Sequence, residues 1–291
     1  MPSMSAAEAT DLFRREPDRF IDVGEGEAAH RVVGSGPDVL FVHGWPVTGA
    51  TWRRLLPHLA DHVTCHVIDL PSAGSSRFDA DTVLTIHQHM ESVRRVVEAL
   101  DVESIAVVGH DSGGLIARHA MVGNPRLRSM GLINTEPPDP SWRFKSFVQA
   151  RKLPGLAAGL RFVSGNRTIR NSRLVFGDAF ADRSHLDGEF AEFFFAPLNE
   201  EPGKAEAAAA LLRSFDMKDC TDLPGVHRRL DVPVKLVWGA KDPFFPVADA
   251  RAMVGSFPNA SIDVIDDAGL FSHEEAPREV AEALLPTLLA D

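Results

Sequence analysis

From residue 36 the chain alternates short apolar runs with longer amphipathic ones, the pattern of a mostly parallel sheet flanked by helices. Val39–His43, Val63–Leu70, Ser104–Gly109, Met130–Asn134, Val234–Trp238 and Ser261–Ile265 read as strands. Trp52–Asp61, Ile86–Leu100, Gly113–Val122, Val247–Val254 and Pro277–Leu289 carry apolar residues at helical spacing. Ahead of them, Phe20–Val23 and Ala28–Val33 flank Gly24-Glu25-Gly26 and predict a hairpin. The fold class is therefore α/β. No internal repeat is present.

The alternation stops between Glu136 and Val234. It ends in Pro137, Pro138 and Pro140 and resumes after Asp231-Val232-Pro233, with helix-like pieces such as Ala205–Phe215 between. This divides the chain into a core, residues 1–137 and 232–291, and a helical cap or lid, residues 138–231. The interval holds ten of the 18 phenylalanines, among them Phe193-Phe194-Phe195. Such a segment needs apolar surface to cover, either a small core of its own or a pocket.

The chain has 291 residues, ample for a sizeable core. Its formal charge of −11 is the wrong sign for gripping a phosphate backbone or an anionic bilayer, so the expected partner is a small-molecule substrate, with no nucleic acid and no membrane. The two cysteines, Cys65 and Cys220, offer neither a disulfide framework nor a zinc-type spacing, which predicts no metal and no cofactor and a reducing, cytoplasmic setting. Met1 to Phe20 carries seven charged side chains and no apolar signal-peptide stretch. The expected assembly is a monomer or a homodimer.

Chemistry concentrates at Ser104–Arg118, where an apolar strand runs through Gly109-His110-Asp111-Ser112-Gly113 into a helix. The glycines allow the tight strand–turn–helix bend that lifts the central side chain above a sheet, as in a nucleophile elbow. An aspartate there is ionised at neutral pH at its reference pKa of about 3.9 and needs no base to attack a saturated carbon.

From about residue 20 onward the chain resembles the α/β-hydrolase superfamily, in the branch whose elbow carries Asp: haloalkane and haloacid dehalogenases and epoxide hydrolases. His43-Gly44-Trp45-Pro46 followed by Thr51-Trp52-Arg53 is similar to the family's oxyanion loop, and Trp238-Gly239-Ala240-Lys241-Asp242-Pro243 to the strand end that supplies its acid. The resemblance implies that Asp111 is the nucleophile and that it forms an alkyl ester. It further implies that the Trp45 and Ser112 N–H groups form the oxyanion hole, each worth about 3–4 kcal/mol in comparable sites. Asp242 would orient the base, with Glu136 as the other candidate acid.

The base itself is missing. The family's segment reads G-H-F-x-x-E-E-x-P, and this chain reads Gly269-Leu270-Phe271-Ser272-His273-Glu274-Glu275-Ala276-Pro277. Leu270 stands at the histidine position, and His273 comes three residues late. Three readings follow: a base knockout made to hold the alkyl ester, a natural homologue that has lost hydrolysis, or His273 acting as base through a local shift.

The subclass motifs divide. Epoxide hydrolases of this branch protonate the opening ring with two tyrosines, and this chain has none. Haloalkane dehalogenases place Trp, and fluoroacetate-type enzymes Arg, where Ser112 stands. A halide leaves without a proton, which favours dehalogenation; an epoxide hydrolase with a non-tyrosine acid and a non-catalytic small-ligand-binding homologue are the alternatives. Trp45 and Trp142 could cradle a leaving halide with their indole N–H groups. His185 could protonate a leaving oxygen.

Overall fold

The computed structural model describes residues 4–290; Met1 to Ser3 and Asp291, assigned above to the core segments, lie outside the described residues. Eight strands form one sheet: β1 (Arg19–Asp22), β2 (Glu27–Gly34), β3 (Asp38–Val42), β4 (Thr64–Asp69), β5 (Ile105–His110), β6 (Leu127–Ile133), β7 (Val234–Gly239) and β8 (Ala260–Ile265). Their order is β1-β2-β4-β3-β5-β6-β7-β8. The predicted hairpin is β1–β2, and β2 also runs antiparallel to β4; every later pair is parallel.

Alternation along each strand sends successive side chains to opposite faces. Leu40, Val42, Val107, Leu132 and Leu236 join one core with the helices Ile86–Leu100 and Ser112–Met121. Val39, Phe41, Val108, Ile133 and Val237 join the other with Trp52, Leu55 and the C-terminal helix Pro277–Leu288. Central strands buried on both faces have no polar side to expose, which is why they read as unbroken apolar runs.

One predicted helix is absent. Trp52–Asp61 is not an α-helix but two short 3-10 turns, Gly49–Trp52 and Leu56–His58. Pro57 lies where an α-helix begun at Trp52 would need a backbone donor, so the segment breaks into turns. Its apolar residues Trp52, Leu55, Leu56 and Leu59 are nonetheless buried.

Between β6 and β7 the described residues form helices and turns only, including Trp142–Gln149, Leu156–Gly165 and Pro202–Ser214. The predicted Ala205–Phe215 helix starts three residues early, because Pro202 needs no hydrogen-bonded N–H in the first turn. Phe180, Phe190, Phe194 and Phe195 pack with one another and reach core Phe271. Among the described residues no helix is long and apolar enough to cross a membrane.

The helix after β5 is seated almost in contact with the β3 backbone. A Cβ on Gly113 would lie 2.3 Å from the Val42 carbonyl oxygen and 2.4 Å from that of His43. Gly113→Ala is therefore expected to lower the unfolding free energy by about 1–3 kcal/mol. The measurement is the urea midpoint, and an unchanged midpoint would show that the helix can lift away from β3 without loss.

Candidate active site

Asp111 occupies the turn between β5 and the helix Ser112–Met121 with φ 51° and ψ −136°. Residues with a Cβ seldom adopt such angles, and holding one there costs on the order of 1–3 kcal/mol. Neighbouring groups hold the turn: the Asp111 N–H donates to the Asn134 carbonyl at 3.0 Å, and its own carbonyl accepts from the Gly114 N–H at 2.8 Å. The side chain is thereby raised above the C-terminal ends of the strands, where β3, β5, β6 and β7 deliver the remaining groups.

From the β3 side, the Trp45 N–H donates to Asp111 Oδ2 at 2.9 Å. The backbone N–H of Ser112 also supports the charged carboxylate. This approach is possible because residue 44 is glycine: a Cβ there would come within 2.5 Å of Asp111 Cβ. The loop is held from below by Asp69 at the end of β4. Its Oδ1 accepts from the Gly49 N–H at 2.7 Å, while Oδ2 accepts from buried Arg31 at 3.1 Å.

From β6 come Asn134, Thr135 and Glu136. Thr135 Oγ1 accepts from Arg118 Nη2 at 2.9 Å and lies 2.8 Å from the Asp111 carbonyl oxygen and 3.0 Å from Glu136 Oε2. A hydroxyl has one hydrogen, and a carbonyl oxygen can only accept. The single hydrogen of Thr135 therefore serves either the Asp111 carbonyl or Glu136 Oε2, both of which accept. Burial pushes the Glu136 carboxyl up, while the Arg118 charge and the Thr135 hydroxyl pull it back. Burial first, and then the Glu136 carboxyl, hold Asp111 well above the usual carboxylate range, against the N–H donors that favour its charge.

From β7, Asp242 is buried and accepts three N–H bonds. Oδ1 receives the Phe244 and Phe245 N–H groups at 2.8 and 3.0 Å, and Oδ2 the Asn134 amide at 2.8 Å. Burial still pushes its carboxyl up to about 7. Asn134 is a site residue that the sequence pattern does not announce. Its Oδ1 also accepts from the Gly239 N–H and from Ser272 Oγ, tying β6, β7 and the segment after Leu270 together. The available signal was a polar triplet, Asn134-Thr135-Glu136, at the end of a buried strand.

Asp111, Ser112, Glu136, Trp45 and Leu270 line one cavity of about 890 Å³, closed on its far side by residues of the β6–β7 insertion such as Phe147, Leu156, Leu160 and Phe176. Its walls are mostly apolar. Leu270 presents its side chain there, with its N–H donating to the Ala179 carbonyl and its carbonyl accepting from His110 Nε2. Burial holds the His110 imidazole down to about 3, so it is neutral in this contact.

Four expectations meet a different geometry. His273 does not line the cavity: it is buried against Trp52 and His110, with Nε2 2.8 Å from Thr51 Oγ1, because the short helix Ser272–Glu275 turns it away. The Trp45 indole N–H is committed to the Ala208 carbonyl at 2.9 Å and is not offered to a leaving group. Trp142 sits at the cavity rim, 78% exposed, too wet to strengthen a halide contact by desolvation. His185 stacks on Phe180 and accepts from Arg54 at its Nδ1, away from the cavity lining.

A family model described as alpha/beta hydrolase family matches residues 39–283. A pimeloyl-[acyl-carrier protein] methyl ester esterase of Xanthomonas campestris pv. campestris is 28% identical over 257 residues, covering 87% of this chain and 95% of the relative. An alpha/beta hydrolase fold protein from Burkholderia ambifaria superposes with a TM-score of 0.77 at 22% identity, covering 94% of this chain and 98% of that one. An epoxide hydrolase, CorEH, superposes with a TM-score of 0.76 at 19% identity, covering 92% and 97%. The curated relative is named as an esterase, so the motif-based expectation of the dehalogenase and epoxide hydrolase branch rests on the site residues alone. The strand order, the strained turn at Asp111 and the match over most of the chain agree on one conclusion: this protein belongs to the alpha/beta hydrolase family.

Proposed function

We propose that this chain is a hydrolase whose Asp111 attacks a saturated carbon of a small, largely apolar substrate and forms an alkyl ester. The observation that carries the reading is the seat of Asp111 Oδ2 on the Trp45 N–H. In an acyl-transfer esterase that donor pair receives an oxygen of the substrate. Here the nucleophile's own Oδ2 takes the Trp45 N–H, which leaves the other carboxylate oxygen for attack. When water later adds to the Asp111 carbonyl carbon, the oxyanion develops on Oδ2, already against its donors.

With Leu270 at the base position, the water that must cleave the ester has no imidazole to take its proton. Asp242 keeps the three donors of an orienting acid but has no imidazole to orient. Loss of a general base slows such a step by about 10²–10⁴-fold, so the ester accumulates.

A halide leaving group needs no proton, and dehalogenation is the first reading. A second is favoured by Glu136. Burial pushes its carboxyl up, and it lines the same cavity as Asp111 in a chain with no tyrosine to open an epoxide. Two carboxyls of one site that share a single proton divide the roles of nucleophile and acid between them.

Incubation with a panel of haloalkanes, haloacids and epoxides, followed by intact-protein mass spectrometry, tests the reading. A haloalkane is expected to add its mass less that of HX, and an epoxide its full mass, on the peptide holding Asp111. Asp111→Asn abolishes both adducts, and Glu136→Gln slows the epoxide adduct by about 10²–10⁴-fold. Leu270→His converts the stable adduct into turnover. No adduct across the panel, with no turnover from the Leu270→His variant, would leave a non-catalytic ligand-binding protein as the better description.

The pH dependence follows from the site. Attack requires the Asp111 carboxylate, and burial with Glu136 beside it raises the pKa of that group. Adduct formation is therefore slower at acidic pH and accelerates as pH rises through a value above the ordinary carboxylate range. A rate already at its plateau at the reference carboxylate pKa of about 4 would show that Asp111 is not held back in this way.

A further inference from the structure

The four most exposed large apolar side chains among the described residues are Trp142, Leu153, Phe162 and Leu174, at 78, 59, 64 and 96%. All four belong to the β6–β7 insertion. Trp142, Leu153 and Leu174 line the mouth of the cavity, and Phe162 stands on the helix Leu156–Gly165, whose Leu156, Leu160 and Val163 form its wall. Scattered exposed apolar residues are ordinary, but three of the largest lining one cavity, with a fourth on a helix that forms its wall, mark an interaction surface.

The charge of the same stretch is opposite to that of the whole protein. Between Trp142 and Val175 lie eight Lys and Arg and no Asp or Glu, in a chain of net charge −11. Carboxylates from outside the stretch answer some of them: Asp139 pairs with Lys145, Asp178 with Arg143 and Arg173, and Asp187 with Arg167 and Arg170. Lys152 and Arg161 are exposed and have no carboxylate partner among the described residues. The whole-chain charge, which argued against an anionic surface, averages over this local excess.

We propose that the rim of the cavity docks on an anionic lipid surface, with Trp142, Leu153, Phe162 and Leu174 entering the interfacial region and the basic residues meeting the headgroups. Exposed aromatic and aliphatic side chains beside lysines and arginines are the two elements of interfacial binding. The placement gives the surface a use: an apolar substrate would pass from the lipid phase into an apolar cavity without crossing water. The proposal does not depend on the chemistry assigned to Asp111.

The test uses the full chain with vesicles of phosphatidylglycerol and, in parallel, of phosphatidylcholine. Cosedimentation is expected with the anionic vesicles only, and it is lost in high salt. Lys152→Glu with Arg161→Glu lowers the partition coefficient by about 25-fold or more. Trp142 reports insertion: a blue shift of tryptophan emission accompanies binding, disappears in Trp142→Phe, and shrinks in Leu153→Asn with Leu174→Asn. Circular dichroism confirms that these surface variants stay folded. Failure to bind anionic vesicles would overturn the proposal, as would equal binding to neutral ones. Sedimentation showing lipid-free self-association that is lost in Leu153→Asn with Leu174→Asn would assign the surface to a second copy of the chain instead.

Discussion

The hydrogen bond from the Trp45 N–H to Asp111 Oδ2 joins two loops that leave different strands, and the remaining site geometry depends on it. For it to form, the β3 loop must approach the β5 turn with no side chain between them, so residue 44 carries no Cβ. The turn must also hold Asp111 at positive φ, which the Asn134 carbonyl and the Gly114 N–H enforce. Asp69 and Arg31 set the height of the loop from underneath. A strained residue persists where its surroundings over-determine it, and here they do so from β3, β5 and β6 at once.

The same arrangement sorts three buried carboxyl groups by what each receives. Asp111 accepts N–H groups that favour its charge, against burial, which opposes it. Glu136 shares the hydroxyl of Thr135 with the Asp111 carbonyl, and burial pushes its carboxyl up. Asp242 is encircled by Phe244, Phe245 and Asn134, a setting suited to a carboxylate that steers a cationic imidazole. Leu270 supplies apolar wall in place of that imidazole.

Much of this was legible along the chain wherever a local rule had no competitor. Gly109 and Gly113 flanking Asp111, between an apolar run and an amphipathic one, are consistent only with a strand–turn–helix bend, and they mark its place. The apolar spacing of Trp52–Asp61 suits a helix, but Pro57 lacks the N–H that an α-helix begun at Trp52 would use, and the stretch forms two short turns instead. His273 looked usable because it lies three residues from the base position. Sequence distance carries no direction, and the short helix Ser272–Glu275 turns the ring toward Trp52 and Thr51. Asn134 and Thr135 passed as the polar end of a strand, since their partners are distant in the chain.

By itself, the sequence determined the α/β alternation, the residue between Gly109 and Gly113 and the absence of tyrosine, because these are matters of periodicity and composition, while the resemblance to the family's motifs marked Leu270 as the base position. Tertiary structure decided which polar groups meet. It committed the Trp45 indole to Ala208 and set the Thr135 hydroxyl between the Asp111 carbonyl and Glu136. It also set three exposed apolar residues of the insertion, Trp142, Leu153 and Leu174, along one cavity. Hydrogen bonds are directional and short, so which of them form is settled only when distant strands bring donor and acceptor within about 3 Å.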